Sequence, residues 1–238
     1  MTSGPLLPRV SVRTDAARRG WHWAVPAVGH VAREGLELAP ITVLIGENGS
    51  GKSTLVEAIA AAWRSELPRE LPHWSPPRGS DDGDLHLALE LSGSTPRPTG
   101  GCFLRAESML GHLGGIDAAE NLVRLVGGRL NARSHGESFL SYLETRNTGR
   151  GLWVLDEPEA ALSFRSCLRL VSVLAGLAGQ GSQVLLATHS PVLAAVPDAL
   201  ILQLGADGIA ACAWDDLELV EEWRDFLTAP QRWLRHLV

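Results

Sequence analysis

Short apolar runs alternate with longer stretches of helical spacing along this chain, and the two patterns predict alternating strands and helices. LLPRVSVR (6–13) and ITVLIG (41–46) read as strands, the second stopping at Gly46. STLVEAIAAAWRSEL (53–67) places apolar residues at the spacing of a helix that begins inside the loop after Gly46. The stretch from Pro68 to Asp84 is rich in Pro, Ser, Gly and Asp and reads as a flexible excursion. DLHLALEL (84–91) alternates like a half-buried strand, and GCFLRAE (101–107) reads as another.

Further along, GLWVLDE (151–157) is an apolar run ending in two acids, the pattern of a strand buried on both faces of a parallel sheet. PEAALSFRSCLRLVSVLAGLAG (158–179) reads as helix and SQVLLAT (182–188) as a second buried strand. DALILQL (198–204) and GIAACAW (208–214) predict a closing hairpin. The C-terminal segment from about 215 to 238 predicts helix interrupted near Pro230. A Gly-punctuated stretch at roughly 109–147 reads as a small helical subdomain. The alternation implies an α/β fold, with a mostly parallel sheet covered by helices on both faces, in a single domain over 1–238.

Composition narrows the class only a little. The chain is 45% hydrophobic and 20% charged, as globular proteins are. A net charge of −6 disfavours a broad basic face for nucleic acid and leaves room for a local basic patch. Cys102, Cys167 and Cys212 are odd in number and form no CxxC, so they read as buried thiols in a reducing compartment. No stretch approaches the ~18 uninterrupted apolar residues of a membrane span. The expectation is a cytoplasmic protein without membrane insertion.

One residue changes the picture. Lys52 is the only lysine in the sequence, where every other basic side chain except histidine is arginine. It lies in GENGSGKST (46–54), in which Gly46, Gly51, Lys52 and Ser53 satisfy the phosphate-loop pattern between a strand and a helix. Glycines let the backbone curl so that successive N–H groups of the loop, across Asn48, Gly49, Ser50 and Thr54, face inward at a helix N-terminus. A slim ammonium fits such a loop, whereas a planar guanidinium does not. The Ser53 hydroxyl and Asp156, at the end of GLWVLD, are the groups expected to hold Mg²⁺. Glu157 follows, placed to act as general base on water. His189, in ATHSP at the tip of the next strand, is placed to contact a γ-phosphate and hold that water. Together they describe a nucleoside triphosphatase site.

SHGES (134–138), read alone, is a helix N-cap with glycine. Beside the other motifs it resembles the S-x-G-[QE] signature of ABC-type ATPases. The order GENGSGKST, SHGESF, LDEPEAALS, ATHSP is similar to the SMC-like branch of that class. FLRAES, GSQVLLATHSPVL and FLTAPQRWLRHL are similar, more narrowly, to small stand-alone bacterial AAA-type ATPases, over most of residues 38–238. His135 stands where many of those proteins have glycine, and Phe164 where their usual pattern has proline.

The resemblance implies ATP and Mg²⁺ as cofactors and a head-to-tail homodimer sandwiching two nucleotides. Ser134, Gly136 and Glu137 would contact the nucleotide held by the partner subunit, and Ser163 would lie near the interface. ABC transporters carry a relay glutamine before the signature, and this chain has none before Gln180. Glu107 is the candidate to replace it at the metal, or else a charged residue opening a loop. For adenine, Arg13, Trp21, Trp23 and His30 are all open candidates. Trp223 and Trp233 could mark a surface for a protein partner, whose identity the sequence leaves unknown. The output reads first as a conformational switch in DNA maintenance or defence. A transporter subunit with a separate membrane chain and a regulatory module with little hydrolysis are the alternatives.

Overall fold

A computed structural model describes residues 4–67, 84–93, 98, 100–105, 140–141, 143–144 and 150–235. Within them a six-stranded sheet has the order β5-β6-β7-β3-β8-β9. Its strands are β3 (Ile41–Gly46), β5 (Gly100–Arg105), β6 (Gly151–Asp156), β7 (Gln183–Ala187), β8 (Leu200–Gly205) and β9 (Gly208–Ala211). All neighbours are parallel except the β8–β9 hairpin. Every residue of β6 and β7 is buried, as are the first five of β3, so both faces of the central strands are covered. The expected α/β fold with a mostly parallel sheet is what the chain forms.

A second sheet, antiparallel with order β2-β1-β4, joins β1 (Arg9–Val12), β2 (Leu36–Glu37) and β4 (Leu89–Ser92). Gln183, buried at the first position of β7, ties this N-terminal region to the central sheet. Its Oε1 accepts from Leu7 N at 2.7 Å, and its Nε2 donates to the carbonyls of Leu7 at 2.9 Å and Ala39 at 3.0 Å.

The helices are α1 (Pro26–Glu34), α2 (Lys52–Ser65), a single turn α3 (Leu85–Ala88), α4 (Phe164–Gly179), a short α5 (Pro191–Ala194), α6 (Glu218–Thr228) and α7 (Pro230–Leu234). α2 packs across β3, β6 and β7, burying Leu55, Val56, Ile59, Ala62 and Trp63. α4 lays Cys167, Leu170, Leu174 and Leu177 against the core, at the i, i+3, i+4 spacing of one helix face.

Two expectations need correction. The segment 84–91 is not one strand: Leu85–Ala88 forms a helical turn, and the strand begins only at Leu89. Leu85, Ala88 and Leu89 are buried while Leu87 is 60% exposed, so burial there follows the helical rather than the alternating period. Likewise 158–179 is not one helix. A 3-10 turn at Pro158–Ala161 ends in extended Leu162, and Ser163 caps α4 by accepting from Ser166 N at 3.2 Å. Serine bonds the backbone this way more readily than it continues a helix.

Cys102 and Cys167 are buried and Cys212 is only half-buried; all three are free. Trp63 and Trp153 are core residues, whereas Trp21, Trp223 and Trp233 are exposed. No helix among the described residues is long and apolar enough to cross a membrane. The stretch 68–83 and most of 109–147 lie outside the described residues, as do Glu107, Ser134, Gly136 and Glu137.

Candidate functional site

Because β5, β6, β7 and β3 are parallel neighbours, their C-terminal ends open on the same edge of the sheet, where α/β folds hold ligands. Gly46 ends β3 there, Arg105 ends β5, Asp156 ends β6, and His189 follows β7 by two residues.

The loop from Gly46 to Gly51 turns through Gly49 at φ +83° and Gly51 at φ +99°, the left-handed region that glycine enters without strain. A Cβ on Gly51 would sit 2.4 Å from Val25 Cγ1, and one on Gly46 would sit 2.6 Å from the Leu204 carbonyl oxygen. Both glycines are therefore required by contact as well as by pattern.

Lys52 opens α2 and is buried, with Nζ donating to the carbonyls of Gly46 at 2.9 Å and Glu47 at 3.0 Å. An ammonium has three protons, so two loop carbonyls leave one for an anion in the cradle. Burial pushes its pKa below the ordinary 10.5, while the negative charges of Glu157, Asp156 and Glu159 pull the other way.

Ser53 Oγ donates to Asp156 Oδ1 at 3.0 Å. The other oxygen, Oδ2, accepts from Arg105 Nε at 2.8 Å. Burial raises the Asp156 carboxyl above its ordinary 3.8, against Arg105 and the Ser53 hydrogen bond, which lower it. Glu157 adopts φ 47° and ψ 49°, a left-handed conformation uncommon outside glycine. Its N–H is held by the Ala187 carbonyl at 2.9 Å. His189 Nε2 lies 3.2 Å from Glu157 Oε1, and its own N–H is held by Glu159 Oε1.

The sequence-predicted Lys52, Ser53, Asp156, Glu157 and His189 therefore meet at one edge. Arg105 and Glu159, which the sequence did not single out, join them. The signals for Arg105 were its place at the end of an apolar strand and its membership of the FLRAES segment.

Among the described residues, three buried polar atoms at this edge make no aligned hydrogen bond: Ser50 Oγ, His189 Nε2 and Glu159 Oε2. Orphaned polar groups are costly, and here they surround a loop whose backbone curls as a phosphate cradle does. The donor set fits a phosphate ester. It fits Mg²⁺ as well, through Ser53 and Asp156. Among the described residues no group of three His, Cys, Asp or Glu could hold a metal.

Along the loop's outer flank runs an open cleft of about 1180 Å³, walled by Glu47–Ser50, the β8–β9 hairpin and the start of α6. It shares His189 with the site, whereas Lys52, Ser53, Asp156 and Glu157 do not line it.

Of the adenine candidates, His30 Nδ1 accepts from Ile209 N at 3.3 Å, Trp23 lies under the Arg18 guanidinium, and Trp21 is exposed. None of these arrangements selects one of them.

This parallel sheet, with its phosphate loop and strand-end acids, defines a P-loop protein, and comparison with known proteins agrees. Residues 34–95 match the AAA domain family model. The cytochrome c biogenesis ATP-binding export protein CcmA of Paracoccus denitrificans is 32% identical over 202 residues, spanning 82% of this chain and 89% of that protein. The chain belongs to the ABC-type P-loop ATPase family. A Streptomyces avermitilis protein named for ABC transporter ATP binding is 29% identical over 250 residues, 96% of this chain, which spans 43% of that protein's length. Among solved structures, the SMC head domain from Thermotoga maritima matches with a TM-score of 0.48 at 14% identity, covering 89% of this chain and 99% of that one.

Proposed function

We propose that this chain binds ATP with Mg²⁺ and hydrolyses it to ADP and phosphate, acting as a head-to-tail homodimer that closes on ATP and reopens after hydrolysis. The observation that carries the reading is the meeting of the phosphate loop with Asp156, Glu157 and His189 at one sheet edge. Lys52 and the inward amides of Asn48, Gly49, Ser50, Gly51 and Thr54 hold the phosphates. Glu157 accepts a proton from water as its oxygen bonds the γ-phosphorus and the bond to the bridging oxygen breaks, leaving ADP. His189 orients that water from beside Glu157. Ser53 and Asp156 would hold Mg²⁺, which when bound would neutralise the developing phosphate charge.

Ser134, Gly136 and Glu137 complete the partner's site in this reading, and Glu107 stands in for the relay glutamine. Both assignments rest on the family resemblance. For the output, the missing glutamine favours a cytoplasmic switch in DNA maintenance or defence. A transporter subunit with a separate membrane chain is the second reading, supported by relatives named for export and transporter ATP binding. The adjacent Asp156–Glu157 pair disfavours a module that barely hydrolyses ATP.

Glu157→Gln tests the mechanism. It is expected to bind Mg-ATP, turn over at least ~10²-fold more slowly, and accumulate as a dimer in light scattering. A variant that stays monomeric at saturating Mg-ATP overturns the dimer, and unchanged turnover overturns the role of Glu157. Capture of partners by the closed variant from the native host, against Lys52→Ala, then separates the outputs. A nuclease or DNA supports the switch, and an integral membrane protein supports transport.

A further inference from the structure

Asp156 is held from two sides, and the contacts close a ring. On one side Oδ1 accepts from Ser53 Oγ at 3.0 Å. On the other, Oδ2 accepts from Arg105 Nε at 2.8 Å. The same guanidinium reaches Glu57 Oε1 through its NH2 at 2.5 Å. Ser53 and Glu57 are four residues apart on α2 and so share one helix face. Arg105 and Asp156 are register partners on adjacent parallel strands. The ring therefore runs from α2 to β6 to β5 and back to α2.

Its two acids are almost wholly buried, with side-chain exposures of 1% for Asp156 and 6% for Glu57. Buried carboxylates need partners, and Arg105 serves both at once. The guanidinium does so because its fork presents Nε and NH2 in fixed directions, which an ammonium cannot reproduce.

We propose, building on the nucleotide-site reading above, that Arg105 is a positioning residue for the cation site and that Glu57 in turn orients Arg105. By occupying Oδ2, Arg105 fixes the rotamer of Asp156. Oδ1 is thereby left facing Ser53 and the loop, where Mg²⁺ would sit. Supporting groups of this kind around a metal site change metal affinity by ~10–100-fold when removed. A merely structural ion pair would change the melting temperature and leave the metal dependence alone.

The test is a Mg²⁺ titration of the binding of a fluorescent, non-hydrolysable ATP analogue, run beside a melting curve. Arg105→Lys keeps the charge and loses the fork. The double substitution Arg105→Met with Glu57→Gln removes the guanidinium together with the buried charge on Glu57 that it faces. The double variant is expected to need at least ~10-fold more Mg²⁺ for half-maximal binding, and Arg105→Lys to fall between it and the wild type. At saturating Mg²⁺ all three should approach the same analogue affinity. A folded variant of either kind with its Mg²⁺ midpoint within about twofold of wild type overturns the proposal. If the wild type binds no analogue at any Mg²⁺ concentration, the nucleotide-site reading itself fails.

Discussion

The Lys52 ammonium donates to the carbonyl of Gly46, 2.9 Å away and six residues before it, so the side chain folds back along the loop from which it starts. With Glu47 taking a second proton at 3.0 Å, the charge is fixed at the mouth of α2. Its cost shows in the lowered pKa, whose largest cause is burial.

Lys52→Met is therefore expected to lose nucleotide binding without losing the fold. A group whose folded pKa lies below its unfolded value binds fewer protons folded than unfolded between the two. The wild type thus gains stability as pH rises through that window toward 10.5. The stability of Lys52→Met relative to wild type should be greatest at neutral pH and shrink on the alkaline side. Melting curves of both proteins from neutral to alkaline pH, with and without Mg-ATP, check this. A fall in Tm of more than about 4 °C at pH 7 in the variant, equivalent to ~1–2 kcal/mol in a chain of this size, would contradict it.

Glu157 carries a second tension between stability and function. Its φ of 47° places a non-glycine side chain in the left-handed region, at a cost of ~1–3 kcal/mol where it occurs. Glycine relieves that strain. Glu157→Gly is expected to raise the unfolding midpoint in denaturant by the equivalent of about 1 kcal/mol, while turnover drops at least as far as in the glutamine variant. A midpoint below wild type would mean that Glu157 side-chain contacts outweigh the backbone strain.

His189 is expected to separate chemistry from affinity. Its Nε2 lies 3.2 Å from Glu157 Oε1, and its backbone N–H is anchored independently by Glu159. His189→Ala should lower turnover by ~10²-fold, the scale on which misplaced reactants lose rate. ATP affinity should stay within about threefold of wild type. Equilibrium binding and single-turnover hydrolysis together decide it. A loss confined to binding would make His189 a ligand of the phosphates alone.

Much of this site was legible because its residues are local. Gly46 through Ser53 lie in one short loop, and Asp156 and Glu157 end one apolar run, so pattern and chemistry coincide. Arg105 was not legible as a site residue, because its role depends on which strand neighbours β6. Sequence alternation does not reveal strand order. The backbone conformation of Glu157 was hidden for a similar reason: the Ala187 carbonyl that holds its N–H belongs to another strand. The helical turn at Leu85–Ala88 is hidden in the sequence because a short run of alternate leucines with Ala88 satisfies both periods, and packing decides between them.

Gln183 shows the same limit in the core, and it supports the last prediction. A polar residue opening a buried strand carries no chemical signature in the sequence. Yet its amide makes three hydrogen bonds, two to Leu7 and one to Ala39. Leu7 is fully buried, so its N–H and carbonyl depend on this amide in place of water. Gln183→Met keeps the side-chain volume and removes all three bonds. Each orphaned buried backbone group costs ~1–3 kcal/mol, so the variant should lose roughly 3 kcal/mol of stability. Gln183 begins β7, whereas the phosphate loop and strand-end acids lie at the other ends of the parallel strands. ATP affinity of the folded variant at low temperature should therefore match wild type. Denaturant unfolding combined with calorimetric ATP binding measures both. Weakened binding in a fully folded variant would show that the N-terminal region and the nucleotide edge are coupled through the sheet.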